Sequence, residues 1–413
     1  MSKQTHSIAG KKVMVAGHFC LDITPRFSAG KTYTFEKVFS PGRLTNIEEP
    51  TISLGGPVSN TGIAMAKLGA DVQLNGKIGD DVFGNLIEQI IGKEKTAAFK
   101  KVPHLNTSYT IVLALPGYDR FFLHSPGSND TFNAGDIDYE KAGRCELFHF
   151  GYPPLMQQMY ENDGKELVTI FKHVKELGVT TSLDMAMPDP ASKSGQVDWK
   201  VILENVLPYV DIFLPSLEEI VFMIDRELFE KNKELAADTD PVSVYSTEDC
   251  SRISSKLLSQ GAKIVAIKCG YRGVYLRTGN KEKLHSLLST GLPDYSWWHS
   301  REIWAQTYKA ENFKSALGAG DATIAGFLCG LMAGLTPEET LKAANLVGWQ
   351  NVQEYDTLSG IHTWGYTMEL LEKQSLPQNP AGIDSPGWYY SKERQVYYGP
   401  NDLMPQSSAV IGK

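Results

Sequence analysis

Short apolar runs alternate with longer amphipathic segments along most of the chain. The runs, such as Val13–Ala16 and Val179–Leu183, have the length and β-branched content of buried strands. The segments between them repeat apolar residues every three to four positions, as helices do. This alternation predicts an α/β fold with a mostly parallel sheet covered by helices on both faces. Further strands are predicted at Val72–Ile78, Leu147–Phe150, Val210–Leu214 and Ile264–Lys268, and helices at Val58–Leu68, Val82–Ile91, Leu155–Leu177, Trp199–Leu207 and Thr247–Ser259.

Two stretches, residues 24–52 and 100–124, interrupt this alternation. The first is rich in Gly, Pro, Thr and aromatic residues, and the second contains two hairpin-like runs, Tyr109–Leu115 and Arg120–Leu123. We interpret both stretches as a small β-sheet outside the main sheet. Such a sheet is expected to act either as a lid over an active site or as a dimer interface.

Two other segments read as additions to one domain that spans residues 1–375. Residues 281–304 are interpreted as an insertion, and residues 376–413, with several prolines and tyrosines, as a C-terminal extension. Trp297, Trp298 and Trp304 are expected to anchor the insertion by packing. No basic stripe accompanies them, so a platform for stacking nucleic-acid bases is not expected.

Composition narrows the function further. The chain of 413 residues has 40 basic and 48 acidic side chains, a balance that disfavours nucleic-acid binding and requires a local positive site for any anionic substrate. No segment approaches the roughly 20 apolar residues of a membrane-spanning helix. Five cysteines lie far apart without zinc or CxxC spacing, which favours reduced thiols and a cytoplasmic location. These are Cys20, Cys145, Cys250, Cys269 and Cys329.

A glycine-rich turn at Gly318, Ala319 and Gly320 leads directly into a helical pattern. The free N–H groups and positive dipole of a helix N-terminus bind anions, of which phosphate is the natural candidate. Asp321 lies at this junction, where its carboxylate is placed to accept a proton from a hydroxyl. A simple helix cap is the alternative interpretation of Asp321.

A second cluster, Gly55, Gly56 and Asn60, also joins a predicted strand to a helix. Paired glycines allow a ligand to approach the backbone, and the amide of Asn60 is able to donate to and accept from sugar hydroxyls. Asp22 follows the first strand, and ligands of open α/β sheets bind beyond the carboxyl ends of the strands. We therefore expect Asp22 to take part in recognising hydroxyl groups.

Several other catalytic motifs are missing from the sequence. There is no GxxxxGK[ST] phosphate loop, no HExxH and no Gly-x-Ser-x-Gly. The glycine that would complete a dinucleotide fingerprint falls at Gly326, too far from Gly320. Phosphate-loop NTPase, metalloprotease and hydrolase functions are therefore unsupported, and a nicotinamide oxidoreductase is only a remote alternative.

Taken together, the early Gly-Gly cluster and the late Gly-Ala-Gly-Asp resemble the two signatures of the PfkB, or ribokinase-like, family of carbohydrate and nucleoside kinases. The resemblance runs from about Lys12 to Asn351 and includes KLGADVQLNGKIGDDVFGN and IKCGYRGVYLRTG. It implies a three-layer α/β/α sandwich with a mostly parallel central sheet and a small β-sheet lid. It also implies ATP as the phosphoryl donor and Mg²⁺ as the metal.

The resemblance assigns roles to individual positions. Asp321 is similar to the family's catalytic base, and the amides of Gly318, Ala319 and Gly320 to its anion hole. The segment from His124 to Asp130 resembles the return from lid to domain. Residues similar to acceptor-binding positions are Asp22, Gly55, Gly56 and Asn60, and those similar to nucleotide-binding positions are Lys268, Gly270 and Gly273.

The chain also departs from the family pattern at two places. Ser216 stands where relatives usually have Asn three residues before Glu219, and Glu219 remains to organise Mg²⁺. Ser315-Ala316-Leu317 lacks the aspartate that is common there, so the resemblance does not imply a monovalent-cation site.

The sequence therefore favours an ATP-dependent kinase of a small sugar, with the lid as a candidate homodimer interface and with neither nucleic acid nor membrane as a partner. A nucleoside kinase of the same fold is the first alternative. A non-catalytic sensor of sugar or nucleotide is the second, because Ser216 and the residues before Gly318 differ from the family pattern.

Overall fold

The computed structural model describes residues 6–28, 33–92, 95, 98–116, 118, 121–237, 239–285, 287 and 297–403. Parts of the sequence predictions lie outside these residues. They are the N-terminal tip (1–5) and parts of the lid stretches (29–32, 117 and 119–120), of the insertion (286 and 288–296) and of the extension (404–413).

The described residues form strands and helices in the alternating order expected from the sequence. The strands are β1 Lys12–Gly17, β2 Cys20–Arg26, β3 Glu48–Gly55, β4 Asp71–Asn75, β5 Lys77–Gly79, β6 Lys100–Val102, β7 Tyr109–Leu113, β8 Phe121–Ser125, β9 Leu147–Gly151, β10 Thr180–Leu183, β11 Ile212–Phe213, β12 Ile264–Lys268, β13 Val274–Thr278, β14 Glu302–Ala305, β15 Tyr389–Ser391 and β16 Val396–Tyr398. The α-helices are α1 Phe35–Val38, α2 Pro57–Leu68, α3 Val82–Ile91, α4 Tyr139–Ala142, α5 Gln157–Tyr160, α6 Lys165–Glu176, α7 Lys193–Gln196, α8 Trp199–Val206, α9 Leu217–Ile224, α10 Arg226–Leu235, α11 Thr247–Gln260, α12 Lys281–His285, α13 Ala319–Met332, α14 Pro337–Asn351 and α15 Trp364–Lys373.

Ten strands form the central sheet, in the order β15-β16-β14-β13-β12-β11-β10-β9-β1-β4. The strands from β4 to β12 pair in parallel, and β13, β14, β16 and β15 pair antiparallel at one end. The predicted mostly parallel α/β sheet is therefore confirmed. Its parallel strands end along one edge, where the candidate site lies.

Alternation along the strands produces the three layers, and β1 shows this directly. Val13 and Val15 belong to the core that α2, α13 and α14 cover, whereas Met14 and Ala16 face the core of α6, α8 and α11. Because both faces are buried from Val13 onward, the strand is apolar at every position after Lys12. The predicted three-layer sandwich is confirmed.

A separate sheet with the strand order β3-β2-β7-β8 forms the predicted lid. The expected hairpin is present as the antiparallel pair β7 and β8. One part of the predicted lid lies elsewhere, since β6 pairs with β5 in a two-stranded sheet of its own. At the return to the domain, the buried Asn129 side chain donates to the carbonyl of Phe19 at 2.9 Å.

Two predicted elements are interrupted. The strand expected at Val72–Ile78 ends at Asn75, because β4 pairs with β1 whereas β5 pairs with β6. The helix expected at Leu155–Leu177 is broken at Asn162 and Asp163, whose φ angles of 51° and 54° are left-handed. Both predictions of continuous elements are therefore wrong at these points.

The insertion and the extension contribute strands to the central sheet instead of lying outside it. β14 lies within the predicted insertion, and β15 and β16 of the extension continue the sheet beyond it. The predicted packing role is confirmed for Trp298 and Trp304, which are buried, whereas Trp297 is half exposed. The domain boundaries at residues 375 and 376 stay a prediction.

The helices and the cysteines of the described residues bear on the chain's environment. None of their helices is both long and apolar enough to cross a bilayer. All five cysteines are buried and free.

Candidate active site

The site centres on the N-terminus of α13. Gly318 caps this helix with φ 74° and ψ 2°, a left-handed conformation that favours glycine, and a Cβ there would lie 2.8 Å from the Cβ of Thr357. The N–H of Ala319 donates to Ala316 at 3.2 Å. In the described part of the chain, the N–H of Gly320 has no hydrogen-bond partner. Of the predicted anion-hole amides, Ala319 is thus engaged within the turn and Gly320 is available.

Asp321 lies in the first turn of α13, and its carboxylate is buried with three donors around it. Oδ2 accepts from Asn60 Nδ2 at 2.9 Å, and Oδ1 accepts from the Thr61 hydroxyl at 3.3 Å. The hydroxyl of Tyr152 lies 3.0 Å from both oxygens. The structure thus brings two predicted site residues, Asn60 and Asp321, into direct contact.

Burial raises the pKa of Asp321, and the bonds from its donors together with the nearby Lys268 ammonium oppose that rise. A carboxylate with a raised pKa is a stronger base than one in water, and the donors keep it ionised and oriented. This combination suits a group that takes a proton from a hydroxyl at neutral pH.

A second carboxylate, Asp22, lies on lid strand β2 against the Gly-Gly cluster. A Cβ on Gly55 would lie 2.4 Å from Asp22 Oδ2, so only glycine at that position allows the close approach. Burial raises the pKa of Asp22 to about 6, and hydrogen bonds from Cys20 and Thr110 oppose the rise. The structure therefore places Asp22 and Gly55 together, as the sequence predicts.

Two histidines connect the lid to the domain beside this pair. The Nε2 atoms of His18 and His124 are 3.4 Å apart, and His124 Nδ1 lies 3.0 Å from the hydroxyl of Thr110 on β7. His18 is buried, and burial together with His124 lowers its pKa well below the usual range. Gly56, with φ 84°, passes close enough that a Cβ would lie 2.7 Å from His18 Nδ1.

A cleft of about 610 Å³ opens on the other side of the α13 N-terminus. It contains every predicted nucleotide-binding residue and two of the predicted anion-hole residues. Apolar and aromatic side chains form most of its remaining wall, together with amides such as Asn345 and Asn379. The lining includes Ser216, Lys268, Gly270, Tyr271, Gly273, Tyr308, Phe313, Ala319, Gly320, Thr323, Trp349 and Val352.

Lys268 lines this cleft and interacts with two buried carboxylates, Asp184 and Glu219, that are not part of its lining. The ammonium of Lys268 contacts Asp184 Oδ1 at 2.6 Å. Glu219 is buried in the first turn of α9, where its Oε2 accepts the backbone N–H of Ser216 at 2.7 Å. Burial raises the pKa of the Asp184 and Glu219 carboxyls, and the positive charge of Lys268 opposes that rise in both. The three side chains therefore interact electrostatically. Among the described residues no three side chains of metal-ligating type surround one point.

Sequence reasoning missed several residues of this site: Tyr152, Thr61, Asp184 and His18. Tyr152 follows β9 and Asp184 follows β10, so the rule that ligands bind beyond strand ends could have found both. Thr61 adjoins the predicted Asn60, and His18 directly follows β1.

The fold and the site define an α/β phosphotransferase: a mostly parallel sheet with a β-lid and a buried carboxylate at a glycine-rich helix N-terminus. Residues 19–364 match the model described as pfkB family carbohydrate kinase, and the chain belongs to that family. The predicted enzyme class, a kinase that acts on an alcohol group of a carbohydrate, is therefore confirmed.

Several relatives support this assignment. A protein of Archaeoglobus fulgidus named "uncharacterized sugar kinase" is 24% identical over 300 residues, which are 72% of this chain and 98% of the relative. A 2-dehydro-3-deoxygluconokinase of Bacillus subtilis is 22% identical over 349 residues, which are 83% of this chain and 93% of that protein.

Solved structures share the fold. A ribokinase of Arabidopsis thaliana in complex with ribose and ATP has a TM-score of 0.65 and 18% identity, covering 88% of this chain and 99% of that chain. A nucleoside kinase of Methanocaldococcus jannaschii has a TM-score of 0.58 and 17% identity, covering 88% of this chain and 100% of that one.

Proposed function

We propose that the chain transfers the γ-phosphoryl group of ATP to a hydroxyl of a small sugar or sugar-like acceptor. The observation that carries this proposal is the position of Asp321. The N-terminus of its helix lines the 610 Å³ cleft, and its carboxylate accepts from Asn60 on α2, the helix that begins beside Gly55 and Asp22. A base there has access to both a bound nucleotide and a bound hydroxyl compound.

The reaction requires one proton transfer and one phosphoryl transfer. Asp321 accepts the proton of the acceptor hydroxyl, and the acceptor oxygen forms a bond to the γ-phosphorus while the bond to ADP breaks. Negative charge on the transferring oxygens is stabilised by the Gly320 N–H and by the positive end of α13.

The two substrates have separate binding groups. Asp22 and Asn60 bind the hydroxyls of the acceptor, where Gly55 and Gly56 allow close approach. Lys268, Gly270 and Gly273 lie along the nucleotide's phosphates, in the cleft that also holds the adenosine. Two structural neighbours are described as bound to ATP, the ribokinase of Arabidopsis thaliana and a fructokinase of Xylella fastidiosa, which supports ATP as the donor.

The carboxylates near Lys268 fit a magnesium ion that accompanies the nucleotide. Proteins hold Mg²⁺ through one or two carboxylates plus phosphate oxygens and water, and not through a complete protein cage. Glu219 and Asp184, which both interact with the cleft residue Lys268, would supply that number of carboxylates. When bound, Mg²⁺ would neutralise charge on the phosphate oxygens.

A sugar is the favoured acceptor because the relatives are named sugar kinase and 2-dehydro-3-deoxygluconokinase. A nucleoside remains the alternative, since a nucleoside kinase shares the fold.

We also propose that the lid pairs with the lid of a second copy. Strand β8 is an edge of the lid sheet, and it exposes Phe121, Phe122 and Leu123 in succession. An edge strand with exposed apolar side chains is a natural surface for pairing. A cytoplasmic location stays a prediction.

The first experiment measures ADP release from Mg-ATP with ketoses, aldoses, sugar acids, sugar phosphates and nucleosides, with and without potassium. The Asp321→Asn variant serves as the control. We expect turnover with one acceptor class and a loss of about 10³-fold or more in the variant, because the base is removed. Thermal shift with ATP and with the acceptor should show that the variant still binds both.

Two results would contradict the proposal. Full activity in Asp321→Asn would remove the assigned base. ATP binding with no ADP release on any acceptor would favour the non-catalytic sensor.

A further inference from the structure

Tyr152 has a strained backbone at the end of β9. Its φ of 62° and ψ of 46° are left-handed, which is uncommon for a bulky residue and costs about 1–2 kcal/mol. It is followed by Pro153 and Pro154. The preceding Gly151 is close to Pro57, where a Cβ would lie 2.4 Å from the proline ring. With this backbone, the side chain is directed toward Asp321.

The phenol differs from the other donors to Asp321. Asn60 and Thr61 both extend from helix α2, which packs against α13, and each donates to one carboxylate oxygen. Tyr152 comes from a loop and its hydroxyl is 3.0 Å from both oxygens. Like Thr61 it is a hydroxyl donor, as a kinase acceptor is, but of the two hydroxyls only that of Tyr152 lies within 3.0 Å of both oxygens.

The phenol remains a donor under working conditions. Burial and the carboxylates of Asp321, Asp184 and Glu219 raise the pKa of Tyr152 well above its usual range. The proton of this hydroxyl therefore stays on Tyr152 and is directed at the carboxylate.

We propose that the Tyr152 hydroxyl occupies, on Asp321, the position that the acceptor hydroxyl takes during the reaction, and that the acceptor displaces it on binding. This inference rests on the proposed function, in which Asp321 is the base. Until the acceptor arrives, the phenol keeps water away from the base. Tyr152 thereby limits the hydrolysis of ATP, a side reaction that kinases must suppress.

The test compares Tyr152→Phe with Tyr160→Phe. Tyr160 packs beside Trp199, away from Asp321, and offers the same loss of one hydroxyl. The measurement is ADP release from Mg-ATP without any acceptor, followed by the ratio of ADP released to acceptor phosphorylated. We expect Tyr152→Phe to raise the acceptor-free rate by roughly three-fold or more, because water reaches the base, and Tyr160→Phe to leave it unchanged.

A purely structural role for Tyr152 gives a different result. If the phenol only orients Asp321, its loss lowers the acceptor-dependent and the acceptor-free rates together and leaves their ratio unchanged. Displacement also predicts a lower KM for the acceptor in Tyr152→Phe, because no phenol has to leave. Adding Asp321→Asn to Tyr152→Phe should remove the increase.

Tyr152→Asn provides a second variant, since asparagine tolerates the left-handed backbone. Equal acceptor-free rates in the wild type and both variants, including no ADP release from any of them, would overturn the proposal. This comparison needs no acceptor, so its failure is distinguishable from failure to find a substrate in the acceptor panel.

Discussion

Asp22 shows how a residue proposed to bind the acceptor reduces the stability of the fold at neutral pH. Its carboxylate is mostly buried, with Cys20 and Thr110 as hydrogen-bond donors, and burial raises its pKa from 3.8 to about 6. The folded state therefore holds this proton more tightly than the unfolded chain does. The stabilising contribution of the group is complete below about pH 4 and is lost as pH rises through 6.

Asp22→Asn should consequently stabilise the protein more at neutral than at acidic pH. Asparagine is uncharged at both, so the free energy of unfolding of the variant relative to wild type should rise by about 2 kcal/mol between about pH 4.5 and about pH 7.5. Urea unfolding at the two pH values measures this difference. The same variant should bind the acceptor more weakly, because a carboxylate that accepts from hydroxyls is lost.

The control for this measurement is Asp198→Asn at the exposed N-cap of α8, where asparagine caps about as well as aspartate. Its difference from wild type should not depend on pH over this range. A pH-independent difference for Asp22→Asn as well would show that the buried carboxyl does not carry the assigned proton.

At the scale of elements, glycines set the distance between α13 and α14. A Cβ on Gly326 would lie 2.9 Å from the carbonyl oxygen of Ala343 and from Cα of Ala344. These are backbone atoms, so the two helices would have to move apart. Close packing of α14 also brings Asn345, Gly348 and Trp349 to the 610 Å³ cleft.

The same substitution should therefore have opposite effects in two helices. Gly326→Ala is expected to lower the free energy of unfolding by about 1–3 kcal/mol through the steric contact. Gly365 lies on the exposed side of α15, where a Cβ would have its nearest neighbour 3.9 Å away. Gly365→Ala should therefore raise the free energy of unfolding by up to about 1 kcal/mol, because alanine has the higher helix propensity. Urea unfolding of both variants measures the contrast, and stabilisation by Gly326→Ala would contradict the packing argument.

The elements predicted correctly from the sequence are those with a continuous local pattern, such as β1, α2 and α11. The break at Asn162 and Asp163 was missed although residues 161–166, ENDGKE, have no apolar side chain and contain an Asp-Gly pair typical of turns, because apolar spacing resumes at Leu167. The break after Asn75 is marked by the pair Asn75-Gly76, a turn signal that was passed over because apolar residues continue on both sides of it. The sequence also contained no sign that residues of the extension would join the far end of the central sheet.

The same distinction applies to the site. Four of the predicted site residues lie in short contiguous motifs, which can be recognised in a single sequence. They are Asp321, Gly320, Gly55 and Asn60. Tyr152 and Asp184 are single residues at the ends of separate strands, brought to Asp321 and Lys268 only by the pairing order of the sheet. Their positions after strands could mark Tyr152 and Asp184 as candidates, but which residues they contact depends on the order in which the strands pair.

For the whole molecule, the exposed face of β8 leads to a test of assembly. Phe122→Glu places a charge on the edge strand of the lid, where Phe122 is 54% exposed in the single chain. We expect wild type to behave as a dimer in size-exclusion chromatography with light scattering, and Phe122→Glu as a monomer. Burial of a charge in an apolar contact is unfavourable, which explains the expected loss.

Leu235→Glu is the matched control, because Leu235 is also exposed but lies on α10 outside the lid. It should leave the dimer intact. A monomeric wild type at micromolar concentration would refute the lid contact.

The C-terminal hairpin of β15 and β16 has a consequence for the solubility of the chain. The hairpin lies beyond residue 364, where the family match ends. Even so, its strand β16 pairs with β14 of the central sheet and covers the edge of that strand. Asn379, which precedes the hairpin, lines the 610 Å³ cleft. Without the hairpin, the apolar strand Glu302–Ala305 would present free backbone groups, and such edges recruit strands from other chains into aggregates. A fragment limited to residues 19–364 would therefore expose the unpaired backbone groups of β14. We expect such a fragment to aggregate more readily than the full chain, because the hairpin covers this edge.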